Sequence, residues 1–293
     1  MISGFTFIKN GLTLGYPFLE SVKTIEPLCK EIIINVGFDD QECTQDDGTY
    51  EYLRDNLNTK KFKFLKSWWD PNISSQGLIL SEQTNIALSK CTGKTCQYIQ
   101  GDEAVHENDL SNIELGHKEL ADRDDIHGLV FNYIHFYGNT NVYRHTRSVY
   151  RREVRAIKNK SNITSWKDAQ GFRFLDGKKI SAKLINARIF HYGWARPQEV
   201  MNKKIKSFDK LYHGKDHVQE KEFNYRRIWG LKPFKDEQPS LLNKWVIENT
   251  HPIDILSLPK SYLFGDWDLM VSDFIEHYTG YRIGEYKNYR LKK

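Results

Sequence analysis

The chain has 293 residues and a mass of 34.5 kDa, with 39% hydrophobic and 28% charged residues and a mean hydropathy of -0.63. That balance belongs to a globular protein with room for one sizeable core; collagen, coiled coil, bulk disorder and an integral membrane protein are excluded, since no uncharged apolar run approaches the ~20 residues of a spanning helix. The net charge of +5 is uneven: residues 1–130 carry 12 basic and 21 acidic side chains, a net of -9, whereas residues 131–293 carry 31 and 17, a net of +14, which turns the second half toward phosphorylated ligands, nucleic acid or a membrane surface.

Residues 5–8 predict a short buried strand ending at Lys9-Asn10-Gly11. Residues 16–30 predict a helix, because Pro17 is tolerated in a first turn and Phe18, Val22, Ile25 and Leu28 repeat near helical spacing. Residues 31–36 are nearly all β-branched, the mark of a strand buried on both faces, and the run stops at Gly37. An acidic loop over residues 39–48, a helix over 49–56 and a third strand over 61–65 follow. The loop Ser74-Ser75-Gln76-Gly77 opens a helix over 78–89, and residues 96–100 form a fourth strand ending in Gly101-Asp102-Glu103. Strands alternating with helices predict a parallel α/β sheet. Its right-handed crossovers bring all strand C-termini to one edge, where ligands bind. The edge groups are Lys9-Asn10, residues 37–40, Trp68-Trp69-Asp70 and residues 100–103.

Residues 104–128 predict acidic helix. Residues 130–137 are aromatic and strand-like, residues 142–157 are rich in arginine, residues 172–180 predict a hairpin turning at Asp176-Gly177, and residues 183–192 predict another strand. Three segments result: 1–128 as a nucleotide-binding half, 129–200 as an acceptor-side half and 201–293 as an appended mixed or helical extension. Cys29, Cys43, Cys91 and Cys96 form no CxxC pair, so neither a disulfide framework nor a zinc site is expected and a reducing cytoplasm is the simpler location. The start, Met1-Ile2-Ser3-Gly4-Phe5, lacks the basic and apolar regions of a secretory signal. Asn72-Ile73-Ser74 and Asn162-Ile163-Thr164 match glycosylation sequons, a chance-level signal.

The strongest chemical signal is the pair of carboxylates where the fourth strand emerges, with His106 and Glu107 just beyond. Buried charge is costly unless it is paired or bound to a cation, and a hard divalent cation takes such oxygen ligands and bridges diphosphate oxygens. The competing structural reading is an acidic cap on the next helix.

In this order the motifs resemble a family-two glycosyltransferase with the GT-A fold. Ile8-Lys9-Asn10 loosely matches its first turn. Ile33-Ile34-Asn35-Val36-Gly37 and Asp47-Gly48-Thr49 match its second strand and the helix start after it. Gly77 and Gln83-Thr84-Asn85 match its glycine loop and Ala-Arg-Asn helix, and Gln100-Gly101-Asp102 stands where it has Asp-x-Asp. More narrowly, Gln100 to Glu103 and His191-Tyr192-Gly193-Trp194 resemble a bacterial or viral subgroup. The resemblance covers about the first 110 residues. It implies a Rossmann-like, mostly parallel sheet flanked by helices, with a C-terminal extension.

It further implies a nucleotide-sugar donor, a UDP-sugar first, bound by Ile8, Asn10, Gly37, Asp39, Gln76, Asn85, Gln100, Gly101 and Asp102, and a glycan or other hydroxyl acceptor. It also implies Mn²⁺ or Mg²⁺ held by Asp102 and His191, and a carboxylate base, for which Glu103 is the first choice ahead of Glu107 and Glu199. Gln100 in place of the first aspartate and Thr84 in place of arginine depart from the pattern. The aromatic and arginine-rich stretch over 135–155 would line the acceptor cleft, since aromatic faces stack on sugars and arginines pair with anions. An enzyme of this kind would be cytoplasmic or peripheral to a membrane. The alternatives are a nucleic-acid-binding protein, drawn from the +14 half, and a catalytically inactive nucleotide- or glycan-binding module.

Overall fold

The structure is a computed structural model that describes residues 1–73, 76–213, 222–249, 251–262 and 266–292. Ser74 and Ser75 of the expected glycine loop, and with Ser74 the end of one sequon, lie outside these residues. Strands β1 (Ile2–Ile8), β2 (Glu31–Phe38), β3 (Phe62–Trp68) and β4 (Thr95–Tyr98) are joined through helices α1 (Phe18–Ile25), α2 (Thr49–Asn56) and α3 (Leu78–Leu88). They lie in the order β3-β2-β1-β4, every pairing parallel. The β-branched run explains the centre: all eight residues of β2 are buried, between neighbours on both sides. This is the parallel α/β sheet expected from the alternating pattern.

Beyond β4 the sheet is mixed. β7 (Asn139–Arg144) and β8 (Arg152–Lys158) each run antiparallel to β6 (Gly128–Tyr137), and β8 joins β4, also antiparallel. The long β11 (Ser181–Trp194) lies parallel to β6 and also carries β5 (Glu103–Val105), antiparallel. Residues 103–105 are therefore strand rather than helix, because β11 supplies a partner some 85 positions later; α4 (Leu110–Asp122) starts only after them. A small separate hairpin pairs β9 (Ile163–Trp166) with β10 (Gly171–Phe174), and the chain then turns at Asp176-Gly177, where Gly177 takes φ 80°.

The segment after residue 200 also contributes strands to the same sheet. Helix α5 (Gln198–His213) follows β11 directly, β12 (Leu231–Pro233) extends the sheet beside β7, and β13 (Arg290–Lys292) pairs with β11. Two further helices, α6 (Asn243–Asn249) and α7 (Trp267–Thr279), complete it. Among the described residues, no helix is long and apolar enough to cross a membrane.

Candidate functional site

Parallel pairing brings the C-termini of β1, β2, β3 and β4 to one edge. Lys9 and Asp39, one residue past β1 and β2, meet there at 2.5 Å, with the Lys9 ammonium over the Trp69 ring at 5.9 Å. Asn10 takes φ 52° and starts the β1–α1 loop. That loop is tied to the next helix start: Thr13 N–H donates to Asp47 Oδ2 at 2.8 Å, and Leu12 N–H to Thr49 Oγ1 at 3.3 Å. Gly37 is required because a Cβ would lie 2.9 Å from the Trp69 ring. Ile8, by contrast, is buried in the core, and Trp69 packs on Ile79, Leu80 and Ala169.

The Gly101-Asp102 turn follows β4 on this edge. The Tyr192 N–H donates to the Asp102 carbonyl at 2.8 Å, and Glu103 stands in register with His191. Three groups converge on Asp102 Oδ2: Lys204 Nζ at 3.3 Å, Arg196 Nη2 at 3.5 Å and His191 Nε2 at 3.7 Å. Burial alone would raise the Asp102 carboxyl, but the charges of Lys204, His191 and Arg196 outweigh it and hold the group well below the usual carboxylate range. Arg196 Nη1 also donates to the Leu14 carbonyl at 2.6 Å, and its guanidinium lies 4.0 Å from the centre of the Tyr16 ring. Lys204 donates to the Gly193 carbonyl at 2.8 Å. Burial and then Arg196 lower the Lys204 ammonium to about 8, Asp102 opposing them, so it remains charged at neutral pH.

The orientation of His191 is fixed from behind. His135 Nε2 lies 2.6 Å from the Tyr150 carbonyl, which only accepts, so that nitrogen carries a proton. Burial, reinforced by His191, holds the His135 pKa well below its ordinary value, so the ring is neutral and its Nδ1 accepts. His191 Nδ1, 3.0 Å away, must then be the donor, which leaves Nε2 facing Asp102. Gly193 makes room for this ring: a Cβ there would lie 2.6 Å from His191 Cε1 and 3.0 Å from Asp102 Oδ2. The ladder between β11 and β6 breaks register between His191 and Trp194, which places Gly193 at an irregularity beside the carboxylate.

Glu103 has a different environment. It is fully buried, and Arg155 grips it through Nε at 2.9 Å and Nη2 at 2.7 Å. Tyr133 OH donates to it at 2.8 Å and the Gln100 N–H at 3.1 Å. Its carboxylate has no face for an acceptor hydroxyl, and the expectation of a catalytic base at Glu103 is corrected: it is one half of a buried ion pair. Glu107 is half-exposed and accepts from the Ser240 N–H, and Glu199 lies exposed in the first turn of α5.

Other expected donor residues divide in the same way. Asn85 Oδ1 accepts from the Ser165 N–H at 2.8 Å, fastening α3 to β9, and it sits seven residues along the helix from the edge, about 10 Å at the helical rise. Gln76 is exposed, with φ 51°, just before α3. Gln100 is part of the edge, but its amide donates at 3.3 Å to Tyr98 OH and to the Ala169 carbonyl. The arginine-rich stretch is consumed internally: Arg147 pairs with Asp268, Arg151 with Glu276 and Glu285, and Arg155 with Glu103, while Arg152 donates to Asn132. It is a structural network rather than an open acceptor cleft.

The positive charges beside Asp102 oppose the expected Mn²⁺ or Mg²⁺. Such ions take about six ligands, mostly oxygens, at roughly 2.0–2.2 Å. Asp102 and His191 supply one carboxylate and one imidazole, so water and diphosphate oxygens would have to complete the shell. The same carboxylate oxygen already faces two cations. At about 4 Å each unit-charge repulsion costs about 4 kcal/mol at an effective dielectric of ~20.

The sequence reading did not single out Tyr16, Arg196 and Lys204, and it placed His135 in the acceptor stretch rather than behind His191. One signal was present: Lys204 falls between Met201 and Ile205 on the apolar face of α5, where a lysine is out of place unless it has a partner.

No protein-family profile matches the chain, and no curated protein matches it. Among solved structures, residues 1–349 of S. aureus TarS overlap 72% of this chain and 64% of their own, at 10% identity and a TM-score of 0.35. The same S. aureus fragment in complex with UDP overlaps 46% of this chain and 35% of its own, at 17% identity and a TM-score of 0.31. A nucleotidyl transferase from Methanothermobacter thermautotroptrophicus overlaps 47% and 63%, at 14% identity and a TM-score of 0.28. The chain thus spans between about a third and just under two thirds of these proteins, and similarity at this level identifies no family for it.

Proposed function

We propose that the chain is a glycosyltransferase that moves a sugar from a nucleoside-diphosphate sugar, a UDP-sugar first, to a glycan or other hydroxyl acceptor. The observation that carries this reading is the Gly101-Asp102 turn at the C-terminal edge of four parallel strands, met from the other half of the sheet by His191, Arg196 and Lys204. Open α/β sheets bind ligands at that edge. Glycosyl transfer develops positive character at the anomeric carbon and negative charge on the departing diphosphate. Fixed cations at the edge stabilise the leaving group as that charge grows. The acceptor hydroxyl loses its proton to a base near the anomeric carbon; Glu107 and Glu199 are the carboxylates of the original three that keep an exposed face.

The test is nucleotide release from UDP-, GDP- and dTDP-sugars, with and without Mn²⁺. Release that depends on one donor and is abolished by Asp102→Asn supports the reading. No release from any donor, together with no binding of any nucleotide, contradicts it.

A further inference from the structure

The expected metal position and the observed side chains disagree. Asp102 Oδ2 is the oxygen that faces His191, the other expected metal ligand, and Lys204 and Arg196 reach that same oxygen from beyond β11. Neither is a loose surface contact. Arg196 is fully buried, held by the Leu14 carbonyl and stacked on Tyr16. The Lys204 side chain is 9% exposed, anchored on the Gly193 carbonyl and carried by a helix whose Met201 is fully buried. Gln100, at the position of the family's first aspartate, supplies no charge and turns its amide to Tyr98 and Ala169. The three contacts on Oδ2, at 3.3–3.7 Å, are longer than good charge-assisted hydrogen bonds, and Arg196 Nε has no partner among the described residues.

We propose that the chain's own cations, Lys204 foremost, take the place of the divalent ion, and that a nucleoside diphosphate binds at the Asp102 turn without a metal. The inference rests on the glycosyltransferase reading above. Lys204 is the charge that meets the diphosphate oxygens, as a point charge. Arg196 and Asp102 are positioning residues. Arg196 is too deeply buried to touch the ligand, and Asp102 holds the two cations side by side rather than chelating an ion. The same lysine then faces the diphosphate when it departs with its negative charge.

The experiment is calorimetric titration of the full chain with UDP, GDP and dTDP, once in buffer with EDTA and once with Mn²⁺. The expected result is a nucleotide whose Kd agrees within about 3-fold between the two buffers. Lys204→Met should weaken it by about 10- to 150-fold in both, the range for losing a charged hydrogen bond, and Lys204→Arg should recover part of the loss. Binding that is 10-fold or more tighter in Mn²⁺ overturns the inference and leaves the glycosyltransferase reading standing. So does a Lys204→Met protein that binds like the original. If none of the three nucleotides binds in either buffer, the functional reading falls and the inference falls with it. The comparison of buffers uses the unaltered chain, so it decides the question even if Lys204→Met fails to fold.

Discussion

Asp102 and Glu103 are adjacent buried carboxylates with opposite surroundings. Glu103 has short, directional contacts from Arg155, Tyr133 and a backbone N–H, and no exposure. Asp102 has three cationic or imidazole neighbours crowded on one oxygen at 3.3–3.7 Å, and its side chain keeps 13% exposure. The first arrangement is complete in itself and belongs to the core. The second has longer contacts and partial exposure at the sheet edge. Burial and charge alone do not separate a structural carboxylate from one at a site; the saturation of its hydrogen bonds does.

Breaking the Glu103 side should give the largest effect. Glu103→Gln leaves Arg155 buried without its counter-charge, and the expected loss is about 3–5 kcal/mol of folding stability, read from the urea midpoint. A Glu103→Gln protein with normal stability and no turnover would restore it as a base. Asp102→Asn leaves the buried Arg196 and Lys204 without this carboxylate and should also lower stability, by about 3 kcal/mol, while weakening nucleotide binding of the folded protein by roughly 10- to 150-fold, because Lys204 and Arg196 lose the group that aligns them; calorimetry on the folded variant measures this. Gly193→Ala adds a Cβ against the His191 ring and Asp102 Oδ2. Its expected cost is about 1–3 kcal/mol in stability, with a loss of binding that follows the displaced ring.

A buried histidine away from the edge gives a smaller, pH-dependent control. His117 lies between Thr95 and Gln97 under β4, and burial lowers its pKa to about 3. The unfolded chain takes up this proton near pH 6.5 and the folded chain does not. Stability should therefore fall as pH drops below about 6.5, with a slope from this group of up to about 1.4 kcal/mol per pH unit that continues toward pH 3. Replacing His117 with Gln should flatten that part of the profile in thermal melts across pH; an unchanged profile would show that the acid sensitivity resides elsewhere. The smallest effect is expected at the exposed pair Arg123–Asp125, where Asp125→Ala should change stability by less than about 1 kcal/mol.

The parallel half was legible because its signals are local. The β-branched run over residues 31–36 marks a central strand without reference to any other segment, and strand–helix alternation then dictates which ends share an edge. What was not legible depends on distant partners. Residues 103–105 look like the start of a helix until β11 is beside them. Glu103 looks like a site residue until Arg155, 52 positions later, is placed on it. The arginines after residue 143 look like an anion-binding face until Asp268, Glu276 and Glu285 come back over them. Lys204 falls in the segment read as an extension, although its place on an apolar helix face marks it.

The most direct test of the central claim is a crystal structure of the chain with UDP bound in metal-free buffer. The account predicts diphosphate oxygens within about 3.5 Å of Lys204 Nζ, beside the Gly101-Asp102 turn. A nucleotide bound elsewhere on the chain, or a diphosphate facing this turn only when Mn²⁺ is supplied and with Lys204 displaced, would contradict it.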